Sequence, residues 1–189
     1  MKYCSDCGAP VRRGMPQGDD RLRHICDECG RIHYLNPKVI AGCIPVWEGR
    51  ILLCRRAIEP RKGYWTLPAG FMEQGETLAE AARREAWEEA NVRVDTGDLY
   101  TLFSLPHLSQ VYVFFQARMV DGRFSPGDES LETRLFAEDE IPWREISFET
   151  VYRSLHYFFA DRKQGEFVLR TEDIGPNDPR MLDDAPGAS

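Results

Sequence analysis

The stretch that most limits this chain's fold and chemistry runs from residue 70 to 92. It reads Gly70, five residues, Glu76, seven residues, then Arg84-Glu85-Ala86-Trp87-Glu88-Glu89-Ala90-Asn91-Val92. Residues 77–90 read as a helix, since Thr77 and Glu80 form a Thr-x-x-Glu capping pair and the interior is rich in Ala, Glu and Arg. At about 3.6 residues per turn, Glu85, Glu88 and Glu89 share an arc of roughly 100°. Ala79, Ala82, Ala86 and Ala90 form a second stripe, centred roughly 110° away. Small residues on that stripe let the helix lie close to a sheet, so the carboxylates project sideways.

Three carboxylates so close together repel, and a like-charged i,i+4 pair costs about 0.2–0.5 kcal/mol even when solvated. Mg²⁺, a hard cation that takes oxygen ligands, suits such a cluster. Arg84 and Glu76 offer an ion pair that would orient it. Taken alone, the triplet also matches a solvated, glutamate-rich helix face. The loop ahead of the helix argues for the cation: Gly70 permits an unusual backbone conformation that could aim its carbonyl at the same ion.

The rest of the chain reads as strands and a second helix. Residues 39–47 and 50–56 are β-rich runs separated by Glu48-Gly49, a hairpin signal. Residues 64–67 are extended and run into Pro68-Ala69-Gly70, a loop signal. Strands are expected at 99–105, 111–119 and 131–137, a Gly/Pro/Asp loop at 121–128, and a helix at 147–163 with Val151, Leu155, Phe158 and Phe159 at helical spacing. The pattern predicts an α/β fold with a mixed sheet covered by helices. The segments are 1–34 as a cysteine-rich module, 35–170 as the main domain and 171–189 as a polar tail expected to be poorly ordered.

Cys4-x2-Cys7 and Cys26-x2-Cys29 stand 18 residues apart in a segment too poor in aliphatics to fold on its own core. Two such knuckles read as a structural Zn²⁺ site of the ribbon type. His24 and His33 flank the second knuckle and could substitute for a cysteine, but are expected at the surface by default. Cys43 and Cys54 fall in strands and are expected as small buried hydrophobes. The chain carries 24 basic and 31 acidic residues, a net charge of −7. That balance is a poor match to a nucleic-acid binder, as is the module's own six basic against five acidic residues. No apolar run is long enough for a membrane span, and residues 1–10 lack a secretory pattern. A cytoplasmic location with reduced cysteines is the expectation.

The 70–92 stretch resembles the Nudix box, Gly-x5-Glu-x7-Arg-Glu-U-x-Glu-Glu-x-Gly-U, where U is apolar. Gly70, Glu76, Arg84, Glu85, Glu88, Glu89 and Val92 match in register, Ala86 fits the earlier apolar position weakly, and Asn91 stands where the box has Gly. Asn is the next most tolerant residue of a left-handed helix terminus. The resemblance implies a Nudix α/β/α sandwich preceded by a zinc ribbon, and Mg²⁺- or Mn²⁺-dependent hydrolysis of a nucleoside diphosphate linked to another group. It makes Glu85, Glu88 and Glu89 metal ligands, with the Gly70 carbonyl as a further one, and Glu76 and Arg84 their orienting partners. A general base in such enzymes is often a carboxylate of the box or of a late loop. Here that loop offers Asp128, Glu129 and Glu132; Glu129 is the first choice and Glu132 the second, although a plain polar loop accounts for each as well.

The substrate rests on weaker features. The NADH pyrophosphatase group, which also removes NAD caps from RNA, carries a Ser-Gln-Pro-Trp-Pro-Phe-Pro stretch after the box; residues 103–112 here lack it. The ribbon, Asn36-Pro37-Lys38, Trp65-Thr66-Leu67-Pro68-Ala69-Gly70 and residues 130–136 are similar to the group of the plant plastid FAD pyrophosphohydrolase and its bacterial relatives acting on ADP-ribose. That resemblance implies FAD or ADP-ribose, giving AMP with FMN or ribose 5-phosphate, and a homodimer. An adenine or flavin ring needs an aromatic wall, for which Trp47, Phe71, Phe103 and Tyr112 are candidates, although for each a place in the core is the stronger expectation. NADH or NAD-capped RNA is the second reading. A ligand-sensing regulator is a third, but such regulators usually lose box carboxylates and this chain keeps them all.

Overall fold

The computed structural model describes residues 1–176. In the first unit, residues 1–37, three short strands, β1 (Val11–Gly14), β2 (Arg23–Cys26) and β3 (Ile32–His33), form an antiparallel sheet in that order. Each knuckle ends in a left-handed glycine, Gly8 at φ 76° and Gly30 at φ 72°. Their N–H groups turn back onto the carbonyls of Cys4 and Cys26, both at 3.0 Å.

The second unit begins at Lys38. Its hairpin is β4 (Lys38–Trp47) and β5 (Arg50–Arg56), followed by β6 (Trp65–Thr66), β7 (Ala69–Phe71) and α1 (Leu78–Ala90). Then come β8 (Val94–Leu105), β9 (Gln110–Met119), β10 (Ser130–Phe136), α2 (Glu149–Gln164) and β11 (Arg170–Asp173). The sheet runs β10-β5-β4-β9-β8-β11, with β6 on β5 and β7 on β4. The β4–β9 and β8–β11 pairs are parallel and the others antiparallel, so the sheet is mixed.

Alternation along the central strands explains the layers. Ile44, Ile51 and Leu53 enter one buried cluster with Val151, Leu155, Phe158 and Phe159 of α2. Their neighbours Cys43, Leu52 and Cys54 enter another with Ala82, Ala86 and Ala90 of α1. Side chains that alternate across a pleat face opposite sides, so the two helices cover opposite faces and the architecture is an α/β/α sandwich. Cys43 and Cys54 are the small buried hydrophobes expected of them. The alanine stripe is buried as foreseen at residues 82, 86 and 90, but Ala81 is buried where Ala79 is only half-buried.

Several expectations change. Residues 69 and 70 are strand, not loop: β7 pairs with β4, Gly70 opposite Ala41. Strand β8 begins five residues before the expected start at Leu99. The expectation of a poorly ordered tail from Thr171 does not hold for its first residues. Residues 171–173 extend β11 beside β8, and Ile174 is fully buried, its N–H on the Ser104 carbonyl at 2.8 Å. Residues 177–189 of that tail lie outside the described residues. Among those described, no helix is long and apolar enough to cross a membrane.

Candidate active site

Helix α1 starts on the expected cap. The Glu80 N–H donates to Thr77 Oγ1 at 3.2 Å, and the Thr77 N–H donates to Glu80 Oε2 at 2.7 Å. It ends on Asn91 in the left-handed region, φ 48° and ψ 32°, with N–H groups of Asn91 and Val92 turning back to the Trp87 and Ala86 carbonyls. The asparagine adds something glycine cannot. Its Nδ2 donates to the Ser125 and Pro126 carbonyls at 3.2 and 3.1 Å. The N–H groups of Ser125 and Gly127 meet the Ala90 and Glu89 carbonyls, both at 3.0 Å. The 121–128 loop thus satisfies the open carbonyls of the helix end, and this docking brings Asp128 and Glu129 to the carboxylates. Gly127 allows the approach, since a Cβ there would collide with the Glu88 carbonyl.

Glu85 and Glu89 are buried and Glu88 is exposed. Arg84 organises them. Its guanidinium meets Glu76 at 2.7 Å, Glu85 at 2.7 Å, Glu88 at 3.0 Å and the Phe71 carbonyl at 3.0 Å. Glu76 also accepts the Glu73 N–H at 2.6 Å, and Arg84 with that N–H holds its carboxyl down at about 2. Burial raises Glu85 against the pull of Arg84. Burial, then the charge of Glu85, push Glu89 up to about 8, while Arg56 and a backbone hydrogen bond from Ala69 act the other way.

Gly70 is glycine for a different reason from the expected one. Its φ is not positive. A Cβ on Gly70 would run into the Glu85 carboxylate, so only glycine lets strand and carboxylate meet.

The carboxylates form one wall of a cavity of about 1050 Å³. Phe71 and Tyr112 line it, as do Asp128 and Glu129. Phe103 does not, being fully buried in the α2-side core. Trp47 does not either; it packs at the end of β4 against the α1-side cluster and beside Gly122. Glu132 lies on β10 outside the lining, 3.9 Å from Arg55.

Residues not foreseen also line the cavity, among them Trp87, Phe148 and Arg56. Trp87 points away from the alanine stripe and is half-exposed. The Arg56 guanidinium stands 5.1 Å from the Phe148 ring centre, its Nε on the Pro60 carbonyl at 2.8 Å. Its remaining nitrogens have no partner among the described residues, so it is the lining cation that no carboxylate holds. The alternation Leu52, Cys54, Arg56 along β5, set against the buried cysteine and leucine, was the signal that could have found it.

Two observations bear on a catalytic cation. Glu89 Oε2 is buried without a hydrogen-bond partner among the described residues. The space a Cβ would fill at Gly70 is taken by the Glu85 carboxylate, which brings that acid against the strand. A cation fits the first, because an orphaned carboxylate oxygen in a buried site needs a positive partner. The three carboxylates do not converge as ligands would, since Arg84 holds Glu85 and Glu88.

The thiols of the first unit do converge. Among the described residues, Cys4, Cys7, Cys26 and Cys29 are the one His, Cys, Asp or Glu group of this kind, their sulfurs all within 4.8 Å. Cys4 to Cys29 is 3.7 Å and Cys7 to Cys26 is 3.5 Å. The edge of a tetrahedron with zinc–sulfur bonds of about 2.3 Å is about 3.8 Å, so the set fits Zn²⁺. His33 is a correction: it is buried, not at the surface.

A mixed sheet between two helices, with a Gly70–Glu85–Glu88–Glu89 wall facing a cavity, defines the Nudix class of fold and site. The NUDIX domain model matches residues 36–156, and the Nudix N-terminal zinc-ribbon model matches residues 2–35. The chain belongs to the Nudix family, with an N-terminal zinc ribbon and the family's requirement for Mg²⁺ or Mn²⁺. A Nudix hydrolase structure from Nitrosomonas europaea is 52% identical, with a TM-score of 0.90, covering 93% of this chain and 99% of that one. The NAD-capped RNA hydrolase NudC of Chromobacterium violaceum is 28% identical over 82% of this chain and 57% of its own length. An ADP-ribose pyrophosphatase of Methanocaldococcus jannaschii is 30% identical over 64% of this chain and 73% of its own. The chain spans about half the length of the NudC relatives it matches.

Proposed function

We propose that this chain hydrolyses the diphosphate linkage of a nucleoside diphosphate derivative, with FAD or ADP-ribose as the leading substrates. The observation that carries the reading is one cavity with the buried Glu85 and Glu89 on one wall and the rings of Phe71, Tyr112 and Phe148 on others. A charged diphosphate and a flat base need that combination.

Glu85, Glu88 and Glu89, with the Gly70 carbonyl, would hold Mg²⁺ or Mn²⁺. When bound, the ion neutralises diphosphate oxygens and acidifies a water. The chain's own residues do the rest. Arg56 binds a phosphate oxygen through its uncommitted nitrogens. Arg84 and Glu76 keep the carboxylates aimed. Glu129, carried by the docked loop, takes a proton from water as its oxygen attacks one phosphorus in line. The P–O–P bond breaks, giving AMP and FMN, or AMP and ribose 5-phosphate. Phe71 and Tyr112 stack the base, and a homodimer goes with the family resemblance.

A second reading is NADH or NAD-capped RNA, supported by the names of the NudC relatives and opposed by the missing stretch at 103–112. It would bring back a nucleic-acid substrate that the charge balance argues against. Purified protein with Mg²⁺ should be offered FAD, ADP-ribose, NADH and NAD-capped RNA, and the products separated by chromatography. AMP from FAD or ADP-ribose in preference is the expected result. Preference for NADH or capped RNA replaces the first reading by the second, and no hydrolysis of any of them leaves the regulator.

A further inference from the structure

The ribbon contains one buried polar side chain that its four-thiol site does not count among its ligands. His33 closes β3, opposite His24 on β2, and is 8% exposed. Its Nε2 lies 3.3 Å from Cys4 Sγ. Cys4 is itself buried, so water is not at hand to solvate its sulfur as it is for the exposed Cys7 and Cys29. Backbone N–H groups of Cys7 and Asp6, the latter at 3.4 Å, also reach it. His33 is not a fifth ligand, because the atoms that converge within 4.8 Å are the four sulfurs without it.

We propose that His33 is a positioning residue of the zinc site, donating Nε2–H to the Cys4 thiolate and holding that sulfur on the metal. Four thiolates around Zn²⁺ leave a net charge of about −2 on the site. An N–H aimed at sulfur spreads that charge and makes the thiolate a poorer base and nucleophile, so it leaves the metal less readily. The role requires the tautomer with the proton on Nε2, which leaves Nδ1 as an acceptor. Cys26 is buried as well, so a histidine with this contact guards one of the two thiolates that solvent reaches least.

The full chain is purified with zinc as wild type, His33→Phe and His33→Gln. Zinc transfer to a chromophoric chelator is followed with and without hydrogen peroxide, and Co²⁺ is substituted for the visible spectrum. The expected result is about a tenfold loss of zinc affinity and faster release in His33→Phe, the range seen for such outer partners. His33→Gln, which restores an N–H donor, should recover part of it. The Co²⁺ spectrum should report four sulfur ligands in all three. Unchanged affinity and release in His33→Phe overturns the proposal. So does a wild-type Co²⁺ spectrum of three sulfurs and one nitrogen, which would make His33 a ligand. If the variants fail to fold, ¹⁵N spectra of wild type loaded with Cd²⁺ decide alone. A protonated, exchange-protected Nε2 supports the bond, and an unprotonated Nε2 overturns it.

Discussion

Glu89 is the residue whose environment is hardest to explain without a bound cation. It is buried, one of its oxygens has no partner among the described residues, and burial lifts it to about 8. Gly70 and Glu85 form the other tight contact. Gly70→Ala should fold normally yet lose about 10²-fold in turnover, because displacing a positioned carboxylate by about 1 Å costs that much; circular dichroism and steady-state kinetics check it. Glu129→Gln should lower turnover about 10²-fold at saturating Mg²⁺, as expected for a general base. Glu132→Gln should change it by less than about twofold, since a surface ion pair is worth little. Near-normal turnover in Glu129→Gln removes its role. At this scale the sequence was informative where chemistry repeats along a helix, and the box carboxylates and Arg84 could be read directly. It was silent on Arg56 and misplaced His33 at the surface, because a strand register and a sheet pairing that bring distant residues together set their surroundings. Phe103 and Trp47 show the converse: an aromatic in a strand has the same signature whether it faces a core or a cavity.

At the scale of elements, the long ones were legible and the short ones were not. The β4–β5 hairpin and α1 follow from alternation, Glu48-Gly49 and the Thr77 cap. Strand β7 has only three residues and pairs with β4 across the sheet, so no local period announces it. Strand β11 is polar and is held by α2. Asp161 of α2 accepts from Tyr100 Oη at 2.9 Å, from the Val168 N–H at 3.4 Å and from Arg170. Burial raises its carboxyl, but these donors outweigh it and the net shift is downward. A depressed carboxylate contributes stability that is complete above about pH 4 and is lost as pH falls through its folded value. Asp161→Asn should therefore melt lower than wild type at pH 7 and show a shallower loss of Tm as pH falls below about 4. Equal slopes in the two proteins would remove Asp161 from the acid limb. The other tether is at the end of α1. Asn91→Gly keeps the left-handed turn but drops two hydrogen bonds to the loop, so turnover should fall more than Tm does.

For the molecule as a whole, a net charge of −7 and a diphosphate substrate are compatible only if positive charge is concentrated where the substrate binds. Arg56 supplies one cation to the cavity, and the carboxylate wall asks for the others. The direct test is release of AMP from FAD and ADP-ribose as Mg²⁺ is titrated, in wild type and in Glu89→Gln. Turnover that rises from zero with Mg²⁺, is abolished by chelation and falls at least about 10²-fold in Glu89→Gln is the predicted result, the scale expected when a metal ligand is lost. Turnover indifferent to Mg²⁺, or equal in Glu89→Gln and wild type, would contradict metal-assisted diphosphate hydrolysis at this wall.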